Sequence, residues 1–139
     1  MRTFTSIKVE GEPYLLAAYT CTPLVKFPVA DLLKQSKVRG TTVAELGNHN
    51  RPLDMVVYRK DGKDYVLMAN SARGVMKVSI DGIDTIDAIT ERVSDTQGLA
   101  FQTIEELKGV IHLDRLGQDH ALLLVNNSEV LSLESIALP

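Results

Sequence analysis

Three groups of residues in this chain have types that could do chemistry. Cys21, flanked by Thr20, Thr22 and Pro23, is the single cysteine, which excludes an internal disulfide. As a nucleophile it would need a neighbour that lowers its thiol pKa, commonly a histidine. No spacing rule supplies one, so a small unreactive side chain is the favoured reading. His49 stands in the polar run Asn48-His49-Asn50-Arg51. An imidazole there could hold a ligand or move a proton. The competing reading, which weighs more, is an exposed turn whose asparagines make local backbone hydrogen bonds. The third group is Asn70 and Arg73 in Asn70-Ser71-Ala72-Arg73, with Asn126 opening Asn126-Asn127-Ser128. His112 and His120 have no metal-ligand partner at a recognised spacing and are expected to be solvated or satisfied locally. Asp84, Asp87, Glu105 and Glu106 read as exposed charges. No nucleophile elbow, phosphate loop or paired-cysteine motif is present.

These residues must be positioned by strands. Asp64 to Ile80 reads as two β-strands joined by a small polar turn, and the pattern occurs three times. Tyr14–Val29 aligns with Tyr65–Ile80 without a gap, 51 positions apart. Ala121–Leu133 is a third copy, 56 positions further on from Tyr65 and one residue shorter at its turn. A repeat of about fifty residues with several strands per unit is the signature of propellers and related arrays. Each unit also has a preceding strand and a glycine-bearing hairpin, at Gly11, Gly62 and Gly117. The Asp61-Gly62 pair is the strongest of these signals, because both turn residues tolerate positive φ.

In chain order, strands are expected at about 4–10, 14–20, 24–29 and 41–46, with a helical turn over Ala30–Gln35 and a stop at Gly47-Asn48. The second unit adds strands at 53–58, 64–70 and 74–80, then an alternating outer strand over Asp84–Thr90. A helical turn at Ile104–Leu107 precedes strands at 109–114, 121–126 and 129–134. The expected fold class is all-β: antiparallel four-stranded blades forming a partial β-propeller of about three blades. It is read as one domain over 1–139, with units at about 3–47, 48–91 and 99–139 and the last unit lacking its fourth strand. A single β-sandwich or barrel with fortuitously similar hairpins is the alternative.

Pro52-Leu53-Asp54-Met55-Val56-Val57-Tyr58, then Asp61-Gly62, Tyr65–Asn70 and Val75-Met76-Lys77-Val78, resembles a blade of the NHL and YVTN type of β-propeller. That resemblance implies a fold without selecting a chemistry, because lactonases, lyases, dehydrogenases and pure binding scaffolds share it. It also implies that three blades are too few for a closed ring of ~4–8. The remaining blades of a longer chain, or a second copy of this one, are therefore the expected partners, with a C-terminal fragment favoured. In metal-dependent lactonase propellers, which the pattern loosely resembles, amide and carboxylate oxygens near the blade tops hold a divalent cation. Asn70 and Asn126 would suit Ca²⁺ as oxygen donors, but the first unit has Tyr19 at the corresponding place. Amides stapling their own turns are favoured, and no metal or other cofactor is expected.

Up-and-down connectivity sends the turns between second and third strands to the same end as the links between units. Cys21, His49, Asn50, Arg51, Asn70, Arg73 and Asn126 are therefore expected to converge on one mouth. A net charge of −3 and a pI near 5.6 lack the basic footprint that nucleic-acid binding needs. No apolar run reaches membrane-spanning length. The expected function is a scaffold or binding module presenting these loops to a ligand or protein partner. The alternative is part of a hydrolase, lactonase or oxidoreductase propeller with its site at the channel mouth.

Overall fold

A computed structural model describes residues 1–34 and 36–139. The chain is all-β, arranged in three antiparallel sheets, none of them closed on itself. The first sheet is built from β1 (Thr3–Val9), β2 (Glu12–Ala18), β3 (Cys21–Pro28) and β4 (Thr41–Asn50), with α1 (Val29–Leu32) between β3 and β4. The middle sheet holds β5 (Pro52–Lys60), β6 (Lys63–Asn70) and β7 (Gly74–Ser79). Two short strands follow: β8 (Thr96–Gly98) extends the first sheet beside β4, and β9 (Phe101–Ile104) extends the middle sheet beside β7. The third sheet is β10 (Val110–Leu116), β11 (His120–Asn126) and β12 (Leu131–Ala137).

The hairpins explain why the units repeat. Val9 pairs with Glu12 and Lys60 with Lys63, leaving two-residue loops at Glu10-Gly11 and Asp61-Gly62. All four loop residues have positive φ, 51° and 85° in the first and 51° and 78° in the second. This is the I′ geometry whose twist matches that of paired strands. In the third hairpin Leu116 pairs with His120, so the loop is one residue longer.

The sheets stack face to face, and the middle one is covered on both sides. One core joins Ile7, Leu16, Ala18 and Leu24 of the first sheet to Met55, Val66, Met68, Met76 and Val78 of the middle sheet. The other joins Tyr58, Leu67, Ala69 and Val75 to Val110, Leu113, Ala121, Leu123 and Val125 of the third sheet. Burial on both faces is why β6 reads as a continuous apolar run rather than an alternating one.

Several expectations differ from the structure. Asp84–Thr90 is not a strand. Ile83, Thr85 and Ile86 donate to the carbonyls of Ile80, Gly82 and Gly82, a tight turn that packs Ile80, Ile83 and Ile86 against the first core. Those isoleucines are three apart, the spacing of a helical turn rather than a strand. The fourth place in the middle sheet is instead taken by β9. Residues 104–107 form a simple turn, closed by Leu107 N–H to Ile104 O at 3.1 Å. β12 begins later than expected and runs to Ala137, because the turn after Asn126 continues through Ser128 (φ 69°) to Val130. The helical turn near Ala30 is present as α1, and Gln35 lies outside the described residues.

Candidate functional site

Asn70 and Asn126 end the equivalent strands β6 and β11, and each folds its side chain back onto its own turn. Asn70 Oδ1 accepts from Ala72 N–H at 2.9 Å, and Asn126 Oδ1 accepts from Ser128 N–H at 3.0 Å. Both therefore staple the polar turns, as expected of a short amide side chain competing for local backbone. Asn70 does more. It is buried, also accepts from Arg51 N–H at 3.3 Å, and donates through Nδ2 to Asn50 Oδ1 and to the Met76 sulfur.

Asn70, Arg73 and Asn126 border one cleft of 690 Å³ between the middle and third sheets, together with Glu105 and Lys108 from the link between β9 and β10. Its apolar wall is Leu53, Val110 and Ile111. That volume suits a small-molecule site, whose usual range is about 300–1,000 Å³. The Arg73 guanidinium is already committed. It donates to the carbonyls of Leu46 (2.6 Å) and Asn48 (2.7 Å), clamping the bent end of β4 to the middle sheet. Gly47 allows this approach, since a Cβ there would lie 3.0 Å from Arg73 Nη2 on a backbone with φ of +86°. Glu105 and Lys108 are exposed and form no ion pair among the described residues. The cleft thus offers a free ammonium, a free carboxylate and turn amides beside an apolar wall. It lacks a positioned base.

Cys21, His49, Asn50 and Arg51 do not line that cleft, although Asn50 and the Arg51 N–H both bond to Asn70. Asn48, His49 and Asn50 continue strand β4 instead of forming a loop, because Gly47 (φ 86°) and His49 (φ 65°) bend the strand without ending it. Asn50 pairs in register with Cys21 and is fully buried; its Nδ2 has no hydrogen-bond partner among the described residues. His49 and Arg51 are exposed. Cys21, exposed at φ 80°, lines a separate cleft of 480 Å³ with Thr22, Glu45, Asn48 and Arg92. No hydrogen bond connects it to His49 among the described residues.

A pair that sequence reasoning missed lies on the first strands of the middle and third sheets. The Asp54 carboxylate meets His112 Nδ1 and also accepts Leu113 N–H at 2.8 Å and Met55 N–H at 2.9 Å. His112 was expected to be solvated or locally satisfied; it is exposed and also reaches across to the middle sheet. Bulges between Pro52 and Asp54 and between Val110 and His112 produce the meeting, a common way to re-aim a side chain. His112 borders an open cleft of 510 Å³ shared with Thr5 and Ser6 of β1. A lone carboxylate inside the apolar run Leu53–Tyr58 was the available signal, since a charge there needs a partner.

No group of three or more His, Cys, Asp or Glu side chains that could hold a metal occurs among the described residues. No helix there is long and apolar enough to cross a membrane. The chain matches no family model, and comparison with curated proteins and with solved structures gives no match either.

Proposed function

We propose that this chain is a stack of propeller-type blades of the NHL and YVTN kind, acting as a non-catalytic binding module. Its ligand, a small polar molecule or a loop of a partner protein, sits in the 690 Å³ cleft between the second and third blades. The observation that carries this reading is the cleft's inventory. Lys108 and Glu105 are uncommitted and opposite in charge beside an apolar wall, whereas the neighbouring guanidinium and amides are spent on holding the loops. Such a site orients a ligand by charge and hydrogen bonds. Support for the blade assignment comes from the hairpin turns and from the two buried faces of the middle sheet.

The test is a fluorescence thermal-shift screen against small carboxylates, amines and polyols, repeated with Lys108→Ala and Glu105→Ala. Stabilising compounds whose effect shrinks at least tenfold in concentration dependence in one variant support the reading. Hits unaffected by either variant, or no hits together with no cross-linked partner at Lys108, defeat it.

The Asp54–His112 contact favours one second reading, a hydrolytic site in the cleft of the inner strands. Asp54 holds Nδ1, which leaves Nε2 as the ring nitrogen open to a reacting group, and His112 lines a cleft together with Thr5 and Ser6. Hydrolysis of simple esters or lactones that disappears in His112→Ala would establish it; activity equal in wild type and variant would remove it.

A further inference from the structure

Leu53 and Ile111 border the 690 Å³ cleft for the same structural reason. In the middle sheet Pro52 pairs with Asn70 and Asp54 with Ala69, so Leu53 is an extra residue with no partner across the ladder. In the third sheet Val110 pairs with Val125 and His112 with Leu124, which makes Ile111 the extra residue of a matching bulge. A bulge takes its unpaired residue out of the alternation of the strand and re-aims the side chain. Two bulges on separate sheets thus bring two aliphatic side chains to one cleft, and Ile111 stays 37% exposed.

The charged wall is held just as firmly. Glu105 and Lys108 lie on the link between β9 and β10, and that link is tied at both ends. Leu107 N–H closes a turn onto Ile104 O at 3.1 Å, and Gly109 O accepts Asn126 N–H at 2.8 Å. The link lies so close to the sheets that a Cβ on Gly74 would sit 3.1 Å from Leu107 O, and one on Gly109 2.7 Å from Asn126 O. Three residues of chain span at most roughly 11 Å, and the turn shortens that, so both charged side chains reach one small ligand. Asn126 spends its Oδ1 on the Ser128 N–H, which leaves the Nδ2 donors of this exposed side chain for a ligand.

The two free charges discriminate by repulsion as much as by attraction. An anion that pairs with Lys108 meets the like charge of Glu105, and a cation that pairs with Glu105 meets that of Lys108. A ligand with both charges on neighbouring atoms satisfies both. An internal loop of a folded protein carries no such pair on its main chain. The aliphatic wall asks in addition for a short apolar group.

We infer that the cleft binds a free α-amino acid with an aliphatic side chain. Its carboxylate meets Lys108 and the Asn126 amide, its ammonium meets Glu105, and its side chain covers Leu53 and Ile111. This inference rests on the cleft being the binding site, and narrows its ligand from polar molecules in general to one zwitterionic class. The ion pairs are open to water and each contributes little, so the dissociation constant is about millimolar.

The experiment is an amide NMR titration of the whole isotope-labelled chain with L-leucine, N-acetyl-L-leucine, L-leucinamide and glycine. L-leucine should move the resonances of Glu105, Lys108, Ile111 and Asn126. The other compounds lack the free ammonium, the carboxylate and the aliphatic group in turn, and each should bind about threefold more weakly or worse. Lys108→Ala, Glu105→Ala and Ile111→Ser should each weaken L-leucine by a similar factor, with the rest of the spectrum unchanged. Cleft resonances that respond equally to L-leucine and to any of the other compounds overturn the inference and leave the cleft standing as a binding site. Silence from all of these compounds also overturns it; the wider reading falls only if the screen of carboxylates, amines and polyols is silent too. L-leucine binding that none of the three variants weakens overturns both.

Discussion

Lys77 and Tyr58 converge on one atom, the Pro139 main-chain oxygen, at 2.9 and 2.8 Å. Lys77 sits on the third strand of the middle sheet and Tyr58 on its first, so Pro139 is held across three of that sheet's four strands. Leu138, just before it, is buried in the second core. A sheet of only three strands thereby gains an anchor that its own hydrogen bonds do not supply.

Replacing Lys77 with Met keeps the aliphatic stem and removes the ammonium. A charged hydrogen bond contributes up to about 3 kcal/mol, and part-exposure lowers this. Lys77→Met should therefore cost about 1–2 kcal/mol in urea unfolding at an unchanged m-value. Lys26→Met should cost a similar amount, since it removes the matching bond from Lys26 Nζ to the Ile83 main-chain oxygen. A loss confined to one of the two variants would contradict their equivalence.

The two asparagines that look alike in sequence should behave differently. Asn126→Ala removes one exposed turn bond and should cost about 1 kcal/mol. Asn70→Ala also strands Arg51 N–H and buried Asn50, and should cost about 2–4 kcal/mol. Equal midpoint shifts in urea would show that the buried amide pair contributes nothing.

That contrast shows which features could be read from the sequence. The hairpins were legible because Glu10-Gly11 and Asp61-Gly62 need positive φ, a constraint written in the residues themselves. Asn70, Arg73 and Asn126 were legible as neighbours because up-and-down strands send alternate turns to one end. Residues 84–90 misled because alternating Asp, Thr and Ile imitates a strand, while the isoleucine spacing that overrides it becomes decisive only against a core. The separation of Cys21 and His49 from the cleft, like the meeting of Asp54 with His112, depends on bulges of a single residue. A one-residue shift reverses which face a side chain joins, and composition does not encode it.

The strap that carries β8 from the first sheet to β9 in the middle one makes a sharper demand. Gly98 has φ of +89°, and a Cβ there would run into the Val43 carbonyl oxygen and lie 2.9 Å from Ala44 Cα. Gly62 shares a positive φ but has open space around it. Gly62→Ala should cost only the backbone term of about 1–2 kcal/mol. Gly98→Ala adds an overpacking cost of about 1–3 kcal/mol. If the two variants unfold at the same urea concentration, the strap does not lie against β4.

Tyr58 should make stability fall in alkali. Its phenol is held well above the ordinary value of 10.0, first by burial in the second core and then by the neighbouring Tyr65, whose ring is stacked on it at 5.4 Å. The unfolded chain releases this proton near the ordinary value, while the folded chain keeps it to higher pH. The contribution is therefore complete below about pH 10 and declines as pH rises from there toward the folded value. Tyr58→Phe lacks this titration, although it also loses the bond to Pro139 and starts from lower stability. Urea unfolding of both proteins from about pH 8.5 to 11 should show the wild-type advantage intact at the lower end and shrinking above about pH 10. An advantage that stays constant across that range would mean the phenol titrates alike in both states, and that the second core does not shield it from water.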